Sequence, residues 1–246
     1  MEFNYRHSVQ HIPEKSFGST HNSMKTIGEL SIFLQQRELL NRFNAKSSIS
    51  YFLKLNGKQL LVTPLMLNIL ARELVNYPNS QPDEMWFEIG GRPYRFGKQE
   101  FLLVTGLQFG YLDLQVLKRK QENENSLLWR LFKGVSPMLS QIMQMLRVRG
   151  DTISDEDVLK LSNIVIAYNL FYGYDNRARV DDYLWVLIED INLWNKFPFG
   201  TVGYSRLIES LRHALDADRL MTGRNINLYG FIWAFQARYL VYSLDK

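Results

Sequence analysis

Cysteine is absent from this 246-residue chain, which removes disulfides, thiolate-bound zinc or iron, and thiol nucleophiles. Histidine is sparse: there are four, and His7, His11 and His21 fall in the first 24 positions. Their spacings of four and ten bring no acidic companion to ligand distance, so neither a metal site nor a cofactor is expected. Long apolar runs are missing too. No window reaches the roughly 18 uninterrupted apolar residues of a membrane helix. The best candidate, Leu228 to Leu244, is broken by Gln236 and Arg238. The opening MEFNYRHSVQHIPEK is polar and of mixed charge, without the apolar heart of a signal peptide. A soluble intracellular protein with no membrane partner is expected, the nucleus being open to it.

Charge of one sign is also in short supply, with 29 basic residues against 25 acidic. The distribution is less even than the total. Between Lys118 and Arg149 stand seven basic residues (Lys118, Arg119, Lys120, Arg130, Lys133, Arg147, Arg149) against Glu122 and Glu124. Asp151, Asp155, Glu156 and Asp157 then reverse the sign. Two oppositely charged solvated segments account for this; a phosphate-contacting patch is the alternative.

What the chain does have is apolar and aromatic mass, 46% and 13% respectively, enough to fill a substantial core. Residues 1–24 read as a loose leader and 25–246 as one domain. Leu30, Phe33, Leu34 and Leu40 suit an amphipathic helix over 26–43. Asn56-Gly57 between two apolar runs predicts a hairpin over 51–62, with Thr63 and Pro64 opening a helix that ends near Asn76. Further helices are expected behind Ser126, Ser136-Pro137, Ser154, Asp181 or Asp182, Thr201 and Asn227, the last apolar nearly all round. The fold class is therefore α-rich α+β, a bundle of six to eight helices with one or two small hairpins.

Met85 to Gly110, MWFEIGGRPYRFGKQEFLLVTGLQFG, is the most informative stretch. Met85 to Ile89 has strand character, Gly90-Gly91 permits a tight turn, and Arg92 to Phe96 returns with Pro93 on a strand edge. Gly97 with Glu100 makes a weak capping box; Phe101, Val104 and Leu107 are expected to bury together; Gly106 suits a left-handed helix end. With Thr105, the positions Trp86, Phe87, Gly90, Gly91, Pro93, Arg95, Phe96, Glu100, Phe101, Gly106 and Leu107 form a structural signature.

That signature resembles a plant family of unknown function found upstream of Ulp-type, SUMO-protease-like cysteine peptidase domains in Mutator-like transposon-derived proteins. Arg72 to Val75, Leu128-Trp129-Arg130-Leu131-Phe132 before Gly134, Phe197-Pro198-Phe199-Gly200 and Gly230 to Gln236 resemble its other elements, in order. The similarity covers roughly residues 64–240. Gly97 replaces a frequent Ser, and Ala237 to Leu240 lacks the usual Glu and Pro. The resemblance implies a non-catalytic accessory module with a protein partner. Without cysteine, a thiol peptidase centre has no place in this chain.

Other constellations are weaker. Gly91 to Lys98 has the wrong spacing for a phosphate loop, and Gln99 stands where Ser or Thr is required. Ser205 or Ser210 with His213 and Glu209 or Asp216 would share one helix, where in-line geometry is poor. Asp181/Asp182 and Glu189/Asp190 suit capping rather than acid–base work. Met138, Met143 and Met145 lie on an amphipathic helix that is expected to pack in the core. Arg92, Arg95 and Lys98 beside Trp86, Tyr94 and Phe96, with Lys118, Arg119, Lys120, Arg147 and Arg149, are the candidate nucleic-acid contacts.

Overall fold

The computed structural model describes residues 3–6, 20–55, 63–111, 124–174, 177–216 and 228–244. Helix α1 (Thr20–Gln36) buries Ile27, Leu30 and Leu34, and the short α2 (Leu40–Lys46) adds Phe43. Ser50–Leu55 forms a 3-10 helix rather than the first arm of a hairpin. The apolar run that suggested a strand instead sends Phe52 and Leu53 into the core, while Tyr51 reaches the carbonyl of Thr105. Asn56-Gly57 lies outside the described residues.

Helix α3 (Thr63–Leu70) stops earlier than its sequence suggests, because Glu73–Leu74 leaves it as strand β1. β1 pairs antiparallel with β2 (Met85–Ile89), which pairs with β3 (Arg92–Phe96) to give the order β1-β2-β3. Residues of the expected leader lie along the free side of β1: Tyr5 bridges Leu74, Arg6 N donates to Glu73 O, and Val75 N donates to Asn4 O. The β2–β3 turn is made by Gly90 and Gly91 at φ 60° and 79°. Two consecutive positive φ angles match the right-handed strand twist, and only residues lacking Cβ adopt them cheaply.

Helix α4 (Lys98–Thr105) follows at once, capped by Glu100 on the Gly97 amide and ended by Gly106 in the left-handed region. Ser126 caps α5 (Leu127–Phe132) and Ser154 caps α7 (Asp155–Ile166), as their sequences predict. Helix α6 (Leu139–Arg149) starts three residues beyond Ser136, whose hydroxyl is used elsewhere. Gln141 caps α6 by accepting from Met138 N at 2.7 Å. The one helix expected behind Asp181 or Asp182 is two, α8 (Asp182–Leu187) and α9 (Ile191–Lys196). Asp190 breaks the run by accepting from Asn192 N and Leu193 N, a competition typical of Asp at helix starts.

Helix α7 runs on as a π-helical turn, Ala167–Tyr172, in which every residue is buried. It packs against α10 (Phe199–Arg212). The last helix, α11 (Ile232–Leu244), carries Phe235 and Tyr239 against Phe87 and Phe96 of the sheet, with ring centroids 5.0–6.5 Å apart. One continuous apolar cluster runs from Met24 through the sheet to Tyr239. At its centre the backbone approaches so closely that a Cβ on Gly230 would stand 2.5 Å from Gly203 O, and one on Gly173 2.6 Å from Gly230 N.

Candidate functional site

The signature stretch is occupied with holding itself together. Phe87, Phe96 and Phe101 are fully buried and Leu107 nearly so, whereas Val104 points outward at 39% exposure. Phe101 packs against Tyr204 and Phe109 instead, because α4 turns only one narrow stripe inward. Trp86 sits on the other sheet face, stacked on Tyr77 at 4.3 Å and in register with Arg95. Pro93 stands opposite Glu88. Thr105 donates to Phe101 O at 2.8 Å and accepts from Leu107 N at 3.2 Å, tying the helix end to its exit.

Three of the basic residues proposed for nucleic acid, Arg95, Lys98 and Arg147, are paired with carboxylates. Arg95 donates to Glu84 at 3.2 Å and to Glu100 at 3.0 and 3.2 Å, an arrangement that raises its already high pKa, with Glu100 as the leading cause. Lys98 pairs with Asp83 at 2.6 Å and holds that carboxylate below its usual range, mainly through the hydrogen bond itself. Arg147 pairs with Glu29, and Arg130 with Asp157. Arg92 is exposed; Lys118, Arg119 and Lys120 lie outside the described residues.

Among the described residues, polar groups line two hollows. The first, of about 350 Å³, is lined by Asp83, Lys98, Ser205, Glu209, Arg212 and His213, among others. His213 Nδ1 lies 2.8 Å from Asp216 Oδ2. Ser205 sits eight positions before His213, about 12 Å along a helical rise. Ser210 is buried and donates to Leu207 O and Tyr229 O. The hydroxyl, imidazole and carboxylate therefore do not converge. Glu189 and Asp190 also part company, Glu189 accepting from Leu127 N and Lys160, Asp190 capping α9. Asp181 holds the N-cap position of α8 without a side-chain cap bond, and desolvation raises its pKa against the pull of Arg206. Among the described residues, no group of three or more His, Asp or Glu is arranged to hold a metal ion.

The second hollow, of about 450 Å³, lies between α6 and the α5–α6 connection. Gln141, Gln144, Met145, Val148 and Arg149 recur at helical spacing and line one wall; Phe132, Val135 and Pro137 line the other. The opposite stripe of α6, Leu139, Ile142, Met143 and Leu146, is buried in the core. Residues 178–180 run antiparallel to 137–139, with Val180 N donating to Pro137 O at 3.1 Å and Leu139 N to Ala178 O at 3.2 Å. That pairing brings Arg179 to the rim, where Nη1 donates to Ser136 O at 2.8 Å. Ser136 Oγ donates to Val180 O at 2.5 Å and accepts from Trp185 Nε1 at 2.9 Å, which fixes the floor. Sequence reasoning placed the whole Met-rich helix in the core. The overlooked signal was Met145 with Val135 and Val148, apolar residues off the buried stripe, the two valines 61% and 75% exposed.

A small three-stranded antiparallel sheet set into a mostly helical core defines an α-rich α+β domain. The chain belongs to DUF1985, a family of domains of unknown function, whose model matches residues 70–210. The match is narrower than 64–240 at both ends, so the Gly230 to Gln236 element lies beyond it. No curated protein and no solved structure matches the chain. Among the described residues, no helix is long and apolar enough to cross a membrane.

Proposed function

We propose that this domain is a non-catalytic recognition module of plant, transposon-derived proteins, accessory to a Ulp-type cysteine peptidase carried elsewhere. The observation that carries the reading is the α6 hollow: apolar walls, two guanidinium groups, and no Asp, Glu or His among the described residues that line it. Such a surface binds; it holds no acid–base pair to do chemistry. The missing cysteine supports the same division of labour. Nucleic-acid binding is the less favoured reading, since Arg95, Lys98, Arg130 and Arg147 already have carboxylate partners.

A benzophenone amino acid in place of Val148, irradiated in extract of the source cells, tests this. A discrete protein adduct, absent when the same group replaces the exposed Lys25 on α1, is the expected result. Adducts with nucleic acid alone, or none, would overturn it. A filter-binding titration in salt provides the complementary measurement, with no retention of DNA or RNA expected at about 0.1 M.

A further inference from the structure

The geometry points to a specific ligand chemistry for the α6 hollow: a short protein segment carrying an aliphatic side chain flanked by carboxylates. This inference rests on the recognition reading above and goes further by naming what is recognised.

Three observations converge. Phe132, Val135, Met145 and Val148 offer apolar surface with no side chain of the described residues seated on it as a lid, and Val148 and Val135 remain 75% and 61% exposed. An aliphatic side chain placed there removes apolar area from water on both partners. Arg149 and Arg179 stand on the rim, and no Asp or Glu of the described residues lines the hollow, so none of these compensates its charge from within. Guanidinium groups favour planar carboxylates, to which they donate in pairs. Arg149 also closes α6, whose C-terminal carbonyls repel an approaching anion, so the arginine is what makes a carboxylate tolerable at that end. Gln144, and the Nε2 of Gln141 whose oxygen caps α6, supply amide groups along the same wall for a backbone lying in the groove.

The test selects peptides from a random phage-displayed library on the full chain, then measures fluorescein-labelled synthetic copies by polarisation. The enriched peptides are expected to pair an aliphatic residue with acidic neighbours. Arg149→Glu and Arg179→Glu should each weaken binding on the order of tenfold, and Val148→Asp at least as much. Both arginines and Val148 are exposed, and circular dichroism and thermal melting of each variant verify the fold. Wild-type affinity should also fall with added salt, a readout needing no variant. An empty selection, a neutral or basic consensus, or indifference to the arginine substitutions would overturn the inference. So would a sedimentation shift abolished by the same substitutions, which would assign the hollow to a second copy of the chain. If Val148 photocaptures a protein while the selected peptides lack acidic residues, recognition stands and the carboxylate chemistry falls. If neither succeeds, both fall.

Discussion

Replacing Glu100 probes how the signature stretch is held. Its carboxyl group is almost fully buried and accepts from Gly97 N at 2.8 Å and from Arg95 at 3.0 and 3.2 Å. Glu100→Ala leaves the buried Gly97 N–H without its acceptor, which costs about 1–3 kcal/mol. It also removes two charge-assisted bonds, but Arg95 is 31% exposed and keeps Glu84 at 3.2 Å. Solvent and that second carboxylate limit the further loss to about 1 kcal/mol. A total near 3 kcal/mol should lower Tm by roughly 6–12 °C in a chain of this size. Glu100→Gln retains an acceptor for Gly97 and should cost about 1 kcal/mol, as should Arg95→Ala. Urea denaturation with an unchanged m-value measures all three. If Glu100→Ala costs less than about 0.5 kcal/mol, or no more than Arg95→Ala, the cap is not what fixes α4 on the hairpin.

Two glycines with nearly equal φ should behave very differently. Gly91→Ala has φ 79° but nothing within 4 Å of the new Cβ, and should cost about 1 kcal/mol from backbone strain alone. Gly230→Ala, at φ 76°, sets its Cβ 2.5 Å from Gly203 O and 2.7 Å from Leu207 N, and should cost on the order of 3–5 kcal/mol in the same urea assay. Equal losses would mean that close approach contributes nothing. Burial pushes the Tyr51 phenol up to about 12, and raises Tyr168, Tyr183 and Tyr204 as well. A folded pKa above the unfolded 10.0 means the native state holds these protons more tightly, so their contribution is intact below pH 10 and is lost as pH rises through 12. Absorbance titration should show the Tyr51, Tyr168, Tyr183 and Tyr204 phenols ionising only as the fold opens. A single transition near pH 10 with the fold intact would refute this.

The β2–β3 hairpin, the α4 cap and the serine caps of α5 and α7 were legible because each is encoded within a dozen consecutive residues or fewer. Met85 to Phe96 alternates with period two around Gly90-Gly91, and Glu100 reaches back only three positions to Gly97. The apolar faces of α7 and α10 were equally plain from Val158, Leu161 and Val165, and from Tyr204, Leu207 and Leu211. The candidate site was not. Reading Met138, Met143 and Met145 together as core passed over the helical period, which sets Met145 and Val148 off the stripe of Leu139, Ile142, Met143 and Leu146, while the wall facing them comes from other segments.

The sequence by itself determined the class of fold, the exclusion of thiol chemistry and the β2–β3 hairpin. Tertiary structure decided the rest. Glu73–Leu74 became a strand because residues 4–6 and Trp86-Phe87 offer hydrogen bonds on both sides, partners that a helix extended to Asn76 would forgo. Arg179 reached the hollow only because 178–180 pairs with 137–139, some forty positions away. Local patterns fix the backbone of short segments, while a surface assembled from distant segments exists only once burial and long-range hydrogen bonds have chosen which segments meet.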